Sequence, residues 1–310
     1  MKNSIKIWIQ AARLRTLPIS ISGIIVGSAS AYYQGFSDWR IVVLALVTTL
    51  GLQVLSNYAN DYGDGVKGTD ANRIGEKRLV AAGVISANQM KKAVIITTIL
   101  TFIFALLLIY IAFGKQNFVL SFIFILLGIA AIGAAIKYTV GNNAYGYSGF
   151  GDLFVFIFFG LVSTFGVYFM FSKEIDWLLL LPATAIGFLS VGVLNLNNMR
   201  DEESDRKAGK NTVVVQKGGQ WAKRYHYFLV ISAMVLVIAF AYLNDFHFDQ
   251  YLFVAAYFPL TGHLIRVGKN RNPKLLDPEL KKLALSTFFL SILLALSLIY
   301  FVSDLMVNYI

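Results

Sequence analysis

The chain has 310 residues and a net charge of +10, yet only 14% of its residues are charged, against about one-quarter in a soluble globular domain. It contains no cysteine and only three histidines, far apart in the sequence, which excludes disulfides and thiolate sites and disfavours a histidine metal site. The apolar residues form runs of roughly 20 residues with almost no charge, and such runs predict bilayer spans.

The pattern predicts an all-α integral membrane protein, a single membrane-embedded domain over residues 1–310 with about nine transmembrane helices in a bundle. In chain order the predicted spans are Leu17–Tyr33, Ile41–Ala59, Ala93–Phe113, Phe118–Ile136, Leu153–Phe171, Trp177–Leu196, Tyr227–Leu243, Tyr251–Val267 and Leu283–Val302.

The distribution of positive charge predicts the orientation of these spans. If the N-terminus is cytoplasmic, all of the 27 lysines and arginines except Arg40, Lys115 and Lys173 fall on the cytoplasmic side, as the positive-inside rule requires. We therefore expect a multi-pass protein of the plasma (inner) membrane. The basic surplus then reflects topology and contact with the lipid bilayer, and no nucleic-acid partner is expected.

The first long cytoplasmic loop follows the second predicted span and is rich in acidic residues. Asn60 and Asp64 stand at i and i+4, so they share one face if the helix continues for another turn. Asp70 lies off that face, but Gly65 and Gly68 are expected to break the helix and let the chain fold back.

A second acidic cluster follows the sixth predicted span. Asn197, Asp201 and Asp205 form one stripe at i, i+4 and i+8. The same distance along the chain separates Asn60 from Asn197 and Asp64 from Asp201. The motifs thus suggest two four-helix halves plus one further helix, each half presenting an acidic helix end to a shared cytoplasmic active site.

Carboxylate and amide oxygens are hard ligands that suit Mg²⁺, and lysines and arginines beside them suit a diphosphate. We expect Asp64 and Asp201 to be catalytic metal ligands, whereas Asp61, Glu202 and Glu203 are expected to be solvated surface charges. The full set of candidate metal ligands is Asn60, Asp64, Asp70, Asn197, Asp201 and Asp205. The candidate substrate-binding residues are Arg13, Arg15, Lys67, Arg206, Lys210, Tyr138 and Tyr147.

Some of these residues have a second interpretation. Arg13 and Arg15 stand just before the first span, where they either hold substrate or serve topology and lipid contact. Tyr138 and Tyr147 either line the acceptor pocket or act as aromatic anchors at the membrane interface.

Four stretches of the chain resemble the intramembrane aromatic prenyltransferase superfamily, and within it the 1,4-dihydroxy-2-naphthoate polyprenyltransferase branch. They are Ala12–Pro18, Asn60–Asp70, Tyr138–Asp152 and Asn197–Thr212. In the broader superfamily an acid often stands where this chain has Gly68, and Asp70 substitutes for it here.

The resemblance implies nine helices and two acidic motifs that bind Mg²⁺ and polyprenyl diphosphate. It implies transfer of the polyprenyl chain to 1,4-dihydroxy-2-naphthoate with loss of the ring carboxylate, giving demethylmenaquinone.

Three alternatives stay open at this point. The same fold could use another acceptor, such as 4-hydroxybenzoate, homogentisate or haem. A membrane transporter could also have two halves and polar helix ends, but both acidic clusters lie on one side of the membrane, whereas a transport path needs polar groups at its midplane. A lipid phosphotransferase is disfavoured because its Asp-Gly-rich signature is absent.

Overall fold

A computed structural model of the protein describes residues 2–68, 78–142 and 144–308, with side chains described between residues 5 and 300. Within these ranges every regular element is helical. The helices are α1 Lys2–Ala12, α2 Leu17–Tyr33, α3 Trp39–Lys67, α4 Ala87–Phe113, α5 Phe118–Lys137, α6 Gly151–Ser172, α7 Leu180–Lys207, α8 Val213–Lys217, α9 Gly219–Leu243, α10 Tyr257–Lys269 and α11 Asp277–Asn308.

Eight helices of the described chain are long and apolar enough to cross a membrane. The predicted span Tyr251–Val267 is not among them, because it consists of a 3₁₀-helix, Phe248–Ala256, that leads directly into α10. This stretch still crosses the bundle. Phe246 packs on the ring of Tyr33 at the far end of α2, whereas α11 begins at the end where α3 and α7 finish. The protein is therefore a multi-pass membrane protein, and its described part has eight candidate spans plus this one further stretch through the bundle, close to the nine predicted.

Local sequence signals set the ends of the two helices that flank the first acidic loop. The Asp38 carboxylate caps α3 by accepting the Arg40 backbone N–H at 2.9 Å. Ser86 and Gln89 form a reciprocal capping box at the start of α4. At its other end α3 continues through Lys67 and stops at Gly68, whose φ of +73° favours glycine. The predicted extra helical turn after Asn60 is confirmed.

Gly65 has a different role from the predicted helix break, and that part of the prediction is wrong. Gly65 lies inside α3, and a Cβ atom added there would come within 2.6 Å of Val80 Cγ1. Because Gly65 has no side chain, Val80, at the returning end of the first loop, can pack directly against α3.

The two halves of the bundle pack alike. Helix α3 packs most extensively against α4, and α7 packs most extensively against α9, its counterpart in the second half. The remaining helix, α11, lies against α2, α7 and the 3₁₀-helix. Both acidic helix ends therefore face the same end of the molecule, as the paired motifs predict.

The halves meet where α2 crosses α6. A Cβ atom at Gly23 would come within 1.9 Å of Ser163 Oγ, and one at Gly27 within 2.3 Å of the Thr164 carbonyl oxygen. Two glycines four residues apart therefore allow this close crossing. Between Phe156 and Gly166 helix α6 is π-helical. A π-helix has more than four residues per turn, which keeps Phe154, Phe158 and Val162 along one wall of the central cavity.

Candidate active site

The ends of α3 and α7 open on one cavity of about 350 Å³ between the two halves. Its mouth is polar and mostly basic, whereas its deeper wall is apolar. The mouth is lined by Arg13, Arg15, Asn60, Asp64, Arg78, Asn197, Lys210 and Lys281, and the deeper wall by Ile24, Ala105, Leu108, Ile109, Phe124, Leu127, Phe158, Phe159, Val162 and Met170. The structure thus brings residues of both acidic clusters to a single site, while Asp70 lies outside the described residues.

Asp64 is the acidic residue of the first cluster that lines the cavity, and it is 3% exposed. Arg78 Nη2 donates to Asp64 Oδ2 at 3.2 Å, and the Tyr147 hydroxyl donates to Asp64 Oδ1 at 2.8 Å. These contacts fix the carboxylate at the mouth and compensate its buried charge.

The connection between α5 and α6 clamps the end of α3. The Thr139 hydroxyl contacts Asn60 Oδ1 and the Ala59 carbonyl oxygen, each at 3.1 Å. Lys67 Nζ donates to the Thr139 carbonyl oxygen at 2.8 Å and lies 4.2 Å from the centre of the Tyr147 ring. Lys67 therefore stabilises the connection around the site but is not among the residues that line the cavity.

The second cluster is organised by Arg200, whose side chain is fully buried. Its guanidinium donates to both carboxylate oxygens of Asp201, each at 2.7 Å, and to Asn197 Oδ1 at 2.8 Å. It also donates to Asp277 at the start of α11, and the other Asp277 oxygen lies 3.5 Å from Arg15 Nη1. Arg200 thus joins α7 to α11, and Asp277 extends this link to the connection between α1 and α2.

The acids and bases at the end of α7 have different environments. Lys210 is buried, lines the cavity and lies 3.7 Å from Asp205 Oδ1. Arg206, by contrast, pairs with Glu202 on the helix surface, and Lys207 pairs with Glu203 in the same way. The structure therefore brings Lys210 to the site but not Arg206, and the expected surface position of Glu203 is confirmed.

The two predicted tyrosines differ in position. Tyr138 lines the cavity, where burial raises the pKa of its hydroxyl above the ordinary value, so it stays protonated at neutral pH. Tyr147 instead lies between the clusters. Its hydroxyl donates to Asp64, its ring lies 5.8 Å from Lys210 Nζ, and its carbonyl oxygen accepts from the Asn211 N–H at 2.9 Å.

Asp61 contradicts the expectation of a solvated surface charge, because it is 1% exposed. Its carboxylate accepts the backbone N–H groups of Leu79 at 3.0 Å and Val80 at 3.1 Å. Sequence reasoning missed this because both partners lie across the first loop, and no local spacing rule connects them.

A polar wall descends from the mouth along α3. Asn57 Nδ2 donates to the Ala12 carbonyl oxygen at 2.9 Å and to Thr16 Oγ1 at 3.2 Å, while Thr16 donates to the Arg13 carbonyl oxygen at 3.0 Å. Gln53 Nε2 donates to Thr16 Oγ1 and to Asn57 Oδ1. These bonds orient both amides, and no described residue donates to Gln53 Oε1. Gln53 Oε1 can thus accept a hydrogen bond from a hydroxyl group of a molecule bound in the cavity.

The oxygen ligands present are suited to a hard cation. Among the residues that the structure describes, no three acidic or histidine side chains lie close enough to hold a metal ion alone. Magnesium in enzymes is commonly held by one or two carboxylates plus substrate phosphates. Asn60, Asp64 and Asn197 line the mouth, and their oxygens are of the type that completes the coordination of Mg²⁺ with a bound phosphate. Asp201 is not among the lining residues, and both of its oxygens accept from Arg200.

Asp277 and Lys281 are site residues that the sequence did not single out. Both belong to α11, where acids and bases near a helix start look like ordinary surface residues. Only the packing of α11 against α7 and α2 brings Lys281 to the mouth and Asp277 into contact with Arg15 and Arg200.

Comparison with known proteins agrees with this geometry. The model of the UbiA prenyltransferase family matches residues 20–293. A 1,4-dihydroxy-2-naphthoate octaprenyltransferase of Haemophilus influenzae is 42% identical over 96% of this chain and 97% of its own length. The enzyme of that name in Escherichia coli is 40% identical over 94% of both chains.

Two solved structures share the fold at low sequence identity. A UbiA homolog from Aeropyrum pernix has a TM-score of 0.64 at 16% identity, covering 89% of this chain and 97% of its own. A homolog from Archaeoglobus fulgidus, bound to DMAPP and Mg²⁺, has a TM-score of 0.57 at 17% identity, covering 91% of this chain and 98% of its own. Together with the family match, these findings show that the chain belongs to the UbiA prenyltransferase family.

Proposed function

We propose that this protein transfers a polyprenyl chain from polyprenyl diphosphate to 1,4-dihydroxy-2-naphthoate, releasing diphosphate and carbon dioxide. The observation that carries the proposal is the pairing of two acidic helix ends at the basic mouth of an apolar cavity. The names of the two bacterial relatives support the acceptor. The product would be demethylmenaquinone, so we place the reaction in menaquinone biosynthesis. The whole chain forms the catalytic unit.

The basic mouth suits the diphosphate. Arg13, Arg15, Arg78, Lys210 and Lys281 line it, and charge-assisted hydrogen bonds from such groups stabilise phosphate oxygens. The apolar wall below suits the first isoprene units. Since a cavity of about 350 Å³ is in the range of a small-molecule site, the rest of a long chain would extend among the helices or into lipid.

Asn60, Asp64, Asn197 and Asp201 are the residues that would hold Mg²⁺, with Asp205 close by and Asp70 as a further candidate. The ion, when bound with the diphosphate, would stabilise the negative charge that develops on the leaving group. Arg78 and Lys210 add positive charge at the same place, so the allylic C–O bond can break and diphosphate can leave with the bonding electrons.

The electron-rich ring then attacks the allylic carbon. Phe158 and Phe159 on the cavity wall can stabilise the allylic cation through their π faces. Attack at the carboxylated ring carbon forms one C–C bond, and loss of carbon dioxide breaks another and restores aromaticity. No protein base need remove a ring proton. Gln53 Oε1 and the protonated Tyr138 hydroxyl are suited to the hydroxyl and carboxylate groups of the acceptor.

The function can be tested with membranes that contain the protein, labelled prenyl diphosphate and a panel of acceptors. We expect label to enter lipid with 1,4-dihydroxy-2-naphthoate, but not with 4-hydroxybenzoate, homogentisate or 2-naphthoate, which lacks ring hydroxyls. A magnesium chelator should abolish transfer. Transfer to another phenol with none to the dihydroxynaphthoate would overturn the proposed acceptor and leave the family assignment standing.

We further infer that the site end of the bundle faces the cytoplasm, in the plasma (inner) membrane. The support is the charge distribution, because the few basic residues on the opposite side are Arg40, Lys115 and Lys173. A reporter inserted between Gly218 and Gly219 should be cytoplasmic, and one fused after Ile310 should be extracytoplasmic. Both reporters on one side of the membrane would contradict this topology.

A further inference from the structure

Asp61 holds the returning end of the first loop against α3. Its carboxylate is 1% exposed and accepts two successive backbone N–H groups, from Leu79 at 3.0 Å and Val80 at 3.1 Å. Two N–H groups that converge on one carboxylate form a charge-assisted contact, which is about twice as strong as a neutral one. The contact therefore fixes the backbone of residues 79–80 relative to the acidic end of α3.

The surrounding packing depends on the same placement. Leu79 is buried with Ala11, Ile85 and Met90 in a small apolar cluster, and Val80 fills the space left by the missing side chain of Gly65. An acid inside such a cluster is costly unless its oxygens are hydrogen-bonded, and the Leu79 and Val80 amides meet this requirement. The segment is thus fixed by one polar contact within an apolar surround.

The residue that precedes this fixed pair is Arg78. Its guanidinium lies 3.2 Å from Asp64, which is one helical turn after Asp61 on α3, and it lines the mouth of the cavity. Two carboxylates of one helix thus hold two consecutive parts of one segment. Asp61 holds the backbone, and Asp64 contacts the side chain that this backbone delivers.

We propose that Asp61 is a positioning residue for the prenyl-transfer reaction, acting through Arg78 and not as a metal ligand. This inference rests on the proposed function, since it assigns Arg78 to the diphosphate. A ligand role is disfavoured because the partners of both Asp61 oxygens are backbone N–H groups, which cannot rotate away to make room for a metal. The partners of the Asp64 and Asp201 oxygens are side chains, which can move when a metal binds.

Asp61→Asn keeps the shape of the side chain, but one of its two oxygens becomes an NH₂ group that cannot accept the second N–H. We expect the KM for prenyl diphosphate to rise about tenfold, as the loss of one charge-assisted hydrogen bond allows. The kcat and the Mg²⁺ concentration at half-maximal rate should stay within about threefold of the wild type. Glu203→Gln, which changes an exposed acid, is the matched control and should alter none of these values.

Arg78→Gln and the double variant make the test specific. If Asp61 acts through Arg78, adding Asp61→Asn to Arg78→Gln should raise KM no further. Full additivity of the two effects would overturn the proposal, and so would a shift of tenfold or more in the Mg²⁺ dependence of Asp61→Asn, which is the result expected of a metal ligand.

Hydrogen exchange gives a readout that needs no turnover. In the wild type, peptides that report on Leu79 and Val80 should be protected at short labelling times, and Asp61→Asn should remove that protection while peptides from α7 stay unchanged. Absence of protection in the wild type would overturn the anchoring contact itself. If the wild type shows protection but no prenyl transfer, the proposed function fails and the anchoring role of Asp61 stands.

Discussion

Asp64→Asn and Asp201→Asn should each reduce turnover at least 100-fold, because oriented charge at a reacting centre is commonly worth 10²–10³ in rate. Each change keeps the side-chain shape and removes a full negative charge from one of the two acidic helix ends. The measurement is the rate of prenyl transfer in membranes with equal amounts of inserted protein. Removal of divalent ions from the wild type should have the same effect.

The control for this pair is Glu203→Gln on the same helix as Asp201. Glu203 is exposed and pairs with Lys207 on the helix surface, so the Glu203→Gln variant should transfer prenyl chains at the rate of the wild type. Near-normal turnover in either aspartate variant, or in the presence of chelator, would refute a site built from both clusters.

Arg200→Gln should have the largest effect on stability. The Arg200 side chain is fully buried and donates to both oxygens of Asp201, so its loss removes two charge-assisted hydrogen bonds and the neighbouring positive charge from a buried carboxylate. Breaking a buried pair in this way typically costs about 3–5 kcal/mol. We expect a clear drop in the midpoint of thermal unfolding in detergent, and a loss of turnover because Asp201 and Asn197 lose their common donor.

Arg206→Gln is the matched comparison, six residues further along α7. Arg206 is exposed and pairs only with Glu202 among the contacts described, and exposed pairs contribute about 0–1 kcal/mol. Its unfolding midpoint should therefore stay close to that of the wild type. Equal effects of the two substitutions would show that Arg200 does not organise the second cluster.

Sequence patterns anticipated the parts of this molecule that depend on local spacing. The apolar runs located the candidate spans, and the i,i+4 spacing placed Asn60 and Asp64 together on a helix face that lines the cavity. In the second cluster Asn197 lines the cavity, and it shares the donor Arg200 with Asp201. In each of these cases one helix carries all the residues on which the inference depends.

The contacts that join distant segments could not be anticipated. Asp61 accepts hydrogen bonds from residues on the far side of the first loop, and Arg200 donates to Asp277 on another helix. Tyr147, in the connection after α5, donates to Asp64. Similarly, composition could not distinguish Lys210, which turns into the cavity, from Arg206, which stays on the surface. Tertiary packing decides which charge of a mixed cluster reaches the site, and the spacing of residues does not encode it.

Both acidic clusters should act in one prenyl transfer that replaces the ring carboxylate of the acceptor. The most direct measurement supplies 1,4-dihydroxy-2-naphthoate labelled in its carboxyl group, together with a prenyl diphosphate, and follows label in both lipid and gas. We expect one labelled carbon dioxide for each prenyl chain transferred, and no label in the lipid product. A prenylated lipid that keeps the carboxyl label would contradict it.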